Sequence, residues 1–503
     1  MTFAAALERV CSRSSDPEAL ADLASEALAC GEEEQVLPLV KDALAHGPTA
    51  RLWQWKGLLE RALDEHEHAL ASFAEAALLD PHDASIAHGH ARVALEAGVP
   101  AEQLYERAIR LAPSHGELLL GLAAARLAAG RGEQAERELD AVLGQAPLWI
   151  QGHVQLAQLR SMFGRPAESA ASPERALESM PREPQLWRAL FDVHIKRGDL
   201  AALADALQRA VEKGVARDVR LPFEAIATAE LGQTDDADRL FDELDARGGA
   251  GLPIWRIRHL LRTGRTAQAL PLIDAELTSE RGDEAWPYAA LAWRLAGDPR
   301  SEWLEGDPRL VAVVDLGADL PPLDELAQLL RSLHVAKGEY LDQSVRGGTQ
   351  TDGPLLSRID PLIRTLRSAI VDAVEQYVAQ LPPPDPAHPL LRHPRDRRVR
   401  FSGSWSVRLR SGGRHSNHVH PQGWISSALY VALPERTDGE RDDAGWLTLG
   451  QPDDKLGIDL DPWKTIKPEP GRLVLFPSWM WHGTVPFSYG ERLTVAFDVA
   501  VPR

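Results

Sequence analysis

Three histidines near the end of the chain have the spacing of metal ligands. His418 and His420 stand two positions apart in the motif NHVHP, and His482 follows 62 residues after His420. Side chains two positions apart on an extended strand point to the same face, so both imidazoles can address one point. Imidazole is a ligand for iron, zinc, copper and nickel. A third histidine from a distant strand would close a facial site and leave positions for substrate and oxygen.

The elements that must position these histidines begin near Arg400, where the pattern changes to period two. Phe401, Trp405 and Val407 alternate with serine and arginine. Further segments rich in β-branched and aromatic residues span 425–433, 445–449, 472–476 and 492–501. Several short strands separated by Gly and Pro turns within about a hundred residues predict an antiparallel sandwich or barrel. The mouth of such a fold is a natural pocket.

The same residues carry a family resemblance. The segments GSWSVRLRSGGRHSNHVHPQGWISSALYVALP, PEPGRLVLFPSWMWHGTVP and GERLTVAFDV resemble the 2-oxoglutarate/iron(II)-dependent oxygenases of the double-stranded β-helix (jelly-roll) fold. The similarity is to the bacterial subgroup with an HxHP motif, and DQSVRGGTQT at 342–351 is typical of its members with N-terminal repeats. It covers roughly residues 342–503. The resemblance implies a dioxygenase, a hydroxylase, that uses Fe(II), 2-oxoglutarate as cosubstrate and O2.

The resemblance also assigns roles to individual residues. His418 matches the first iron ligand of the family and His482 the distal histidine. Arg492, ten residues later, matches the basic residue that binds the distal carboxylate of 2-oxoglutarate, and a guanidinium can hold a carboxylate with two parallel hydrogen bonds. Thr494 lies on the same strand face and could add a hydroxyl contact. Tyr430 occupies the position of a cosubstrate-contacting tyrosine. We therefore expect His418, His482 and Arg492 to be the catalytic set.

One position departs from the family pattern, because His420 stands where the usual triad has Asp or Glu. Three interpretations stay open. His420 is a true ligand in a three-histidine site. Alternatively it lies behind the ligands, with water or cosubstrate filling the gap. In the third interpretation the site has lost redox activity or holds a structural metal.

Other side chains near the motifs are weaker candidates. Arg408 could bind an anionic group of the cosubstrate or could form a surface salt bridge. His415 is an odd number of residues from His418, which predicts a solvent-facing loop histidine. The tryptophans beside the ligand segments are expected to form pocket walls or core: Trp424, Trp479 and Trp481.

The first three hundred residues carry a helical repeat. Prolines recur at steps of 32, 34 and 34 residues, at positions Pro81, Pro113, Pro147 and Pro181. A period near 34 with a closing proline is typical of tetratricopeptide (TPR) repeats. In the best unit, Gly57 lets two helices approach while Phe73 fills the gap between hairpins. Helical pairs continue from 184 to about 298 with an irregular period, as degenerate repeats, and Pro173 falls where a helix should run. The alternative is a plain α-helical domain.

These patterns predict an α+β multidomain protein, in which an N-terminal TPR-like solenoid precedes a C-terminal oxygenase domain. We expect a helical repeat domain at 1–305, a helical and loop connecting region at 306–397 that packs on the core, and the oxygenase core at 398–503. The polar segment 342–351 is predicted to be a loop, which is either functional or a surface turn. Since solenoids expose a long concave surface, the repeats are expected to bind a protein or peptide substrate.

Composition excludes several other classes. The chain has 503 residues and a formal charge of −19, which argues against nucleic-acid binding. The basic run 392–398 is expected to be a solvated linker. With cysteines only at Cys11 and Cys30, a disulfide framework is excluded and a reducing cytoplasm is expected. No run is apolar enough to predict a membrane span or secretion.

A rival hypothesis belongs to another class: a non-catalytic TPR scaffold whose β-domain senses a metal or ligand. The unusual HxH motif favours it, whereas Arg492 at the cosubstrate position counts against it. A three-histidine dioxygenase that does not use 2-oxoglutarate is a further alternative. Replacing Arg492 by Ala separates them, because only the first hypothesis predicts loss of 2-oxoglutarate affinity.

Overall fold

The chain is α-helical in its N-terminal part and antiparallel β in its C-terminal part, the α+β order that the sequence predicts. A computed structural model describes residues 2–12, 17–248, 252–435 and 439–503. The N-terminal helices are α1 Phe3–Ser12, α2 Pro17–Cys30, α3 Glu33–His46, α4 Ala50–Ala62, α5 His66–Leu79, α6 Ala84–Glu96, α7 Glu102–Leu111, α8 Gly116–Ala128, α9 Gly132–Gln145, α10 Ile150–Met162, α11 Ala171–Ser179, α12 Pro184–Arg197, α13 Leu200–Glu212, α14 Arg217–Glu230, α15 Thr234–Ala246, α16 Pro253–Arg262, α17 Thr266–Glu276, α18 Trp286–Ala296 and α19 Arg300–Glu305. Within the described ranges, none of the helices has the length and apolarity needed to cross a membrane.

From α2 to α19 the helices form pairs, and every pair turns at a residue with positive φ. These residues are Gly31, Asp64, Gly98, Gly130, Gly164, Gly198, Gly232, Gly264 and Gly297. Glycine favours this left-handed conformation because it has no Cβ. The steps between them are all 32 to 34 residues, including the part after residue 184. The expected irregular period there is therefore wrong, because the repeat is marked by the positive-φ turn residue inside each pair rather than by the closing proline.

Packing between the pairs follows the small-against-aromatic pattern read from the sequence. Phe73 is fully buried. A Cβ built on Gly57 would lie 2.8 Å from the Phe73 ring, and one on Gly89 would lie 2.3 Å from it. Both distances are shorter than real Cβ contacts, so the ring occupies the space that these two glycines leave. One buried ring thereby joins two successive helix pairs.

Pro173 does not interrupt the repeat, although the sequence places it where a helix should run. A short 3-10 turn at Pro166–Glu168 precedes it, and α11 begins at Ala171. Pro173 thus lies in the first turn of α11, where its missing N–H has no intrahelical acceptor to lose. The pair α10–α11 forms with a shortened second helix.

The C-terminal part contains two antiparallel sheets. Its strands are β1 Ala312–Asp315, β2 Val345–Gln350, β3 Phe401–His415, β4 Gly423–Ala432, β5 Leu447–Leu449, β6 Lys464–Ile466, β7 Arg472–Pro477, β8 His482–Thr484 and β9 Arg492–Ala500. A six-stranded sheet has the order β1-β7-β4-β9-β3-β2, and a three-stranded sheet has the order β6-β5-β8. The segments that alternate in the sequence thus form strands at the expected places.

The segment between the repeats and the main strands contributes to the larger sheet. Strands β1 and β2 are its two edge strands. Two helices, α20 Leu323–Leu333 and α21 Pro361–Gln380, share one apolar core with the residues of β4, β7 and β9 that face them. The prediction that 342–351 is a loop is wrong for 345–350, which pair with β3. This strand shows no apolar alternation in the sequence. Its polar residues are held by main-chain hydrogen bonds to β3 rather than by apolar burial.

Arginines on α21 and just before β3 bind the N-terminal turns of the solenoid. The ion pairs are Arg397–Glu32, Arg400–Glu33, Arg398–Glu65, Arg367–Asp64 and Arg364–Glu67. The carboxylate of Glu33 is 5% exposed and lies 2.6 Å from Arg400. The run 392–398 is therefore not a solvated linker, because its arginines join two parts of the chain that are far apart in sequence.

Main-chain hydrogen bonds extend this contact along the solenoid. Carbonyl oxygens at three of the helix-pair turns accept from the C-terminal part: Ala97 from Ile359, Met162 from Lys337 and Gly338, and Lys196 from Asp342. These turns thus lie against the segments that precede and follow β2. The residues that follow Asp342 are held by the solenoid on one side and, as shown below, approach the histidine cluster on the other.

Candidate metal centre

The three predicted histidines come together where the two sheets meet. His418 and His482 exchange main-chain hydrogen bonds of 2.9 and 3.0 Å in an isolated antiparallel bridge. The main-chain N–H of His420 donates to the carbonyl of Ser478 at 2.9 Å. One ring nitrogen of each histidine lies within 4.8 Å of those of the other two. The imidazoles are therefore brought together by main-chain hydrogen bonds to His482 and Ser478, not by a regular strand through the HxH motif.

Hydrogen bonds fix which ring nitrogen is free. Nδ1 of His418 lies 2.9 Å from the carbonyl of Ser416, and Nδ1 of His482 lies 2.9 Å from the carbonyl of Met480. Because carbonyl oxygens only accept, each Nδ1 carries the proton. Nε2 of each ring then keeps its lone pair, which is the state that a metal requires.

His420 differs from the other two in its acceptor. Its Nδ1 donates to the carboxylate of Asp498 at 2.7 Å. Asp498 Oδ1 in turn accepts from the hydroxyl of Ser426 at 2.5 Å. The indole ring of Trp405 stacks on His420 with a centroid separation of 5.6 Å and an angle of 8° between planes. Nε2 of His420 is thus also the nitrogen left for a metal.

Burial keeps His418 and His482 neutral. It lowers the pKa of His418 and of His482 well below the usual value, and the neighbouring imidazoles lower both further. A protonated ring in this cluster would lose hydration and face like charges. At neutral pH these two rings therefore present lone pairs rather than protons, and the donor set fits a divalent metal such as iron.

Arg492 lines the same cavity as the three histidines. It is 2% exposed, its Nε has no hydrogen-bond partner, and no carboxylate forms an ion pair with it among the described residues. Burial lowers the pKa of this arginine. A buried guanidinium without an anion is costly, because its charge has lost water and gained no counter-charge. The cavity therefore presents a cation that a carboxylate ligand would satisfy.

Tyr430 and Thr494 lie beside this arginine. The guanidinium of Arg492 lies 5.0 Å from the centroid of the Tyr430 ring, and the buried hydroxyl of Tyr430 has no hydrogen-bond partner. Thr494 lines the cavity and is paired in register with Tyr430 across β9 and β4. Two hydroxyl-bearing side chains thus lie near the guanidinium that would hold an anion.

Arg408 does not join the site. Its Nε donates to Glu491, and it does not line the cavity. Its neighbour Val407 pairs with Thr494, so alternation places Arg408 on the opposite face of β3. The structure brings the other predicted residues together. Arg408 instead forms the salt bridge expected as the alternative to an anion contact.

His415 lines the cavity, and the expectation that it faces solvent is wrong. Its ring stacks on His418 with centroids 5.7 Å apart, and its Nδ1 lies 3.0 Å from the hydroxyl of Ser344. Burial lowers the pKa of His415 to about 3. The spacing argument failed because the chain leaves the regular strand after His415, so parity does not carry through to His418.

Sequence reasoning missed three further lining residues. Ser344 comes from the segment preceding β2, and its hydroxyl lies 3.1 Å from Nε2 of His418. Ser426 and Asp498 lie behind His420 and also line the cavity. A signal existed for Asp498, because it shares the strand face of Arg492 and Thr494 at two-residue steps. For Ser344 the signal was weaker, because the resemblance included the whole segment 342–351 without singling out this serine.

The tryptophans beside the ligand segments are core residues rather than substrate contacts. The indole of Trp424 donates to the carbonyl of Leu390, and that of Trp481 donates to the carbonyl of Pro287, each at 3.0 Å. Trp479 is 5% exposed. They anchor the histidine-bearing segments to α18 and to the segment after α21.

Comparison with known families agrees with both parts of this architecture. Residues 403–498 match the family model described as "Putative 2OG-Fe(II) oxygenase", and residues 99–159 match a tetratricopeptide repeat model. The resemblance read from the sequence is thus confirmed for both. Among curated proteins, none matches the chain.

Similar solved structures correspond to the helical part. A tetratricopeptide repeat protein from Parabacteroides merdae is 16% identical, covers 44% of this chain and 88% of its own, and has a TM-score of 0.32. A TPR protein from Thermus thermophilus is 21% identical, covers 35% of this chain and 97% of its own, and has a TM-score of 0.24. The TPR protein YrrB, which has an unusual peptide-binding site, is 17% identical, covers 36% of this chain and 95% of its own, and has a TM-score of 0.24.

Proposed function

We propose that this protein is an Fe(II)- and 2-oxoglutarate-dependent oxygenase that hydroxylates a protein or peptide substrate. The observation that carries the proposal is one shared cavity. It is lined by three imidazoles whose Nε2 atoms keep their lone pairs, and by a buried arginine that forms no ion pair with a carboxylate of the described residues. A metal alone would leave that arginine unsatisfied, whereas a metal together with a dicarboxylate satisfies both.

The metal would be held by His418, His482 and His420. Each ring has its Nδ1 engaged, so the three Nε2 atoms form the donor set. Imidazole suits iron(II), and three protein ligands leave positions open for the cosubstrate and oxygen. In the matching family, iron(II) with 2-oxoglutarate and O2 supplies the oxidation of a substrate C–H bond, while the protein positions the reactants and excludes water.

The cosubstrate would be oriented by Arg492. Its guanidinium binds the distal carboxylate, and the hydroxyls of Tyr430 and Thr494 assist. The residues in catalytic roles are then His418, His482 and Arg492. Arg408 has no part in this arrangement.

The two sheets would form a double-stranded β-helix, with the metal at the place where β8 meets the HxH segment. The division into a repeat domain at 1–305, a connecting region at 306–397 and an oxygenase core at 398–503 belongs to the same proposal. So does a cytoplasmic location, which the low cysteine content supports.

The repeats would bring the substrate to the protein. A cavity of about 1080 Å³ lies between α6, α8 and the segment that runs from Ser332 to Arg358. Glu117 on α8 lines this cavity and is exposed. Such a surface suits an extended peptide. Glu117→Ala is expected to lower substrate hydroxylation without changing the formation of succinate in the absence of substrate.

The test of the function is succinate production from 2-oxoglutarate. The purified protein with Fe(II), O2 and 2-oxoglutarate should form succinate, whereas His482→Ala should not. Arg492→Ala should need far more 2-oxoglutarate.

The rival functions predict other outcomes. A scaffold that only senses a metal would bind Fe(II) and form no succinate. An oxygenase that does not use 2-oxoglutarate would consume O2 with its substrate whether or not 2-oxoglutarate is added. Either result would contradict the proposed function.

A further inference from the structure

We infer that Asp498 supplies, through His420, the carboxylate charge that the three-histidine site lacks among its direct ligands. The inference rests on the metal site of the proposed function. The family pattern has a carboxylate where His420 stands, and the structure has one directly behind His420. Asp498 is thus a positioning residue that acts on the metal through an imidazole.

The three imidazoles are not equivalent in what their Nδ1 atoms contact. His418 and His482 donate to neutral main-chain carbonyls, each at 2.9 Å. His420 donates to Asp498 Oδ2 at the shorter distance of 2.7 Å. A hydrogen bond with an ionised acceptor is shorter and roughly twice as strong as one between neutral groups. The negative charge of Asp498 therefore acts on one ligand only. That ligand is His420, which stands where the family pattern has Asp or Glu.

Asp498 is held for this contact from its other side. Its Oδ1 accepts from the hydroxyl of Ser426 at 2.5 Å, and that hydroxyl lies 3.0 Å from the hydroxyl of Ser478. The residue is 8% exposed. It forms no ion pair with Lys or Arg in the described parts of the chain, so neither of these residue types neutralises its charge. Two serines thus orient the carboxylate without neutralising it.

The backbone at Gly423 and the ring of Trp405 pack against this network. A Cβ on Gly423 would lie 2.7 Å from Ser478 Oγ and 3.4 Å from Asp498 Cβ. The Trp405 ring covers one face of His420 in a parallel stack. Gly423 thus leaves space for Ser478 and Asp498, and Trp405 covers one face of the His420 imidazole.

The chemical consequence is a more basic ligand. A carboxylate that accepts from Nδ1–H stabilises positive charge on the ring, and Nε2 becomes a stronger donor to the metal. The proton stays on Nδ1. The metal thereby experiences part of a negative charge through His420, as it would directly from the Asp or Glu of the usual triad.

Cobalt(II) binding to the metal-free protein tests this inference without turnover. Asp498→Asn retains the size and an acceptor oxygen but removes the charge. We expect its Co(II) affinity to fall about 10- to 100-fold, the range found when such outer partners are lost, and its visible Co(II) spectrum to shift. Ser402→Ala is the matched control, because Ser402 donates to the main-chain oxygen of Asp498 at 3.3 Å and does not touch its carboxylate. Its affinity and spectrum should equal those of the parent.

The outcomes separate the inference from the function on which it rests. An Asp498→Asn protein with parental Co(II) affinity and spectrum would overturn the inference. It would not contradict metal binding by the three histidines. A parent that does not bind Co(II) would overturn both. Circular dichroism of the metal-free proteins shows whether each variant folds.

A measurement on the parent keeps the inference testable if Asp498→Asn does not fold. Pulsed electron paramagnetic resonance of the Cu(II)-loaded protein detects the remote ring nitrogens of bound imidazoles. Two environments are expected, one for the carboxylate-bonded His420 and one for the carbonyl-bonded His418 and His482. A single environment would overturn the inference.

Discussion

The guanidinium of Arg492 lies 5.0 Å from the ring centroid of Tyr430, inside the β-structure, and no carboxylate of the described residues forms an ion pair with it. Buried arginines are normally paired, because an uncompensated buried charge costs several kcal/mol. This one opens onto the histidine cavity instead. The relationship identifies the end of the cavity at which an anionic group is required.

Replacing Arg492 by Ala should weaken 2-oxoglutarate binding and leave metal binding nearly unchanged. A hydrogen bond to a charged group contributes about 1.5–3 kcal/mol, which corresponds to a loss of roughly 10- to 150-fold in affinity. Calorimetric titration of 2-oxoglutarate into the Mn(II)-loaded parent and variant measures this difference in affinity.

The matched control for this prediction is Arg408→Ala. Arg408 is an arginine on the neighbouring strand that pairs with Glu491 outside the cavity. Its removal should not change 2-oxoglutarate affinity. Equal losses in the two variants would contradict the assignment of Arg492.

Replacing His420 by Ala should distinguish a ligand from a residue behind the ligands. If His420 is a ligand, its loss should weaken Co(II) binding by at least roughly 100-fold. That is the upper end of the range for losing a residue that only hydrogen-bonds to a ligand. His415→Ala is the comparison, since His415 lines the same cavity but its Nδ1 contacts Ser344. Comparable Co(II) affinities for the two variants would show that His420 is not a ligand.

The stability of the protein should depend on the buried carboxyl of Glu305. Burial raises its pKa to about 7, although the indole of Trp463 donates to it at 2.6 Å. Between pH 4.5 and about 7 the folded protein keeps this proton while the unfolded chain has lost it, so the free energy of unfolding falls as pH rises through that window and then levels off. The fall attributable to Glu305 is about 3 kcal/mol at most.

Urea unfolding at pH 5 and pH 8 measures this effect. Glu305→Gln should lose less stability between the two values than the parent does. Glu302→Gln, an exposed change on the same helix, should behave as the parent. An unaltered pH dependence in Glu305→Gln would refute the assignment.

Two glycine substitutions in the repeats should act in opposite directions. Gly89→Ala places a Cβ 2.3 Å from the Phe73 ring and should destabilise the solenoid by about 1–3 kcal/mol through overpacking. Gly144→Ala, in α9, meets nothing within 4 Å and should stabilise by about 0.5–1 kcal/mol through reduced chain entropy. Melting temperatures of the two variants measure the difference, and a shift in the same direction would show that the Phe73 contact does not control packing.

Periodicity predicted much of the fold because it reports burial. The alternating residues after Arg400 form strands, and the 34-residue period forms helix pairs. The β2 strand was missed because Gly347 and Gly348 carry no apolar signal. They allow close backbone approach to β3, where a Cβ on Gly347 would lie 3.0 Å from Gly413.

The site was predictable where strand parity holds and failed where the chain leaves the strand. Thr494 and Arg492 share a face two residues apart, and the same step reaches Asp498. His415 breaks the rule because the chain bends before His418. Ser344 was beyond reach, since its position depends on how the solenoid holds the segment after Asp342.

The central claim is that one cavity holds both a metal and 2-oxoglutarate. The most direct measurement is an anaerobic titration of Fe(II) and 2-oxoglutarate into the metal-free protein, followed by visible absorption. A charge-transfer band should appear in the parent and be absent in His482→Ala. A parent that binds Fe(II) stoichiometrically yet gives no band at saturating 2-oxoglutarate would contradict the claim.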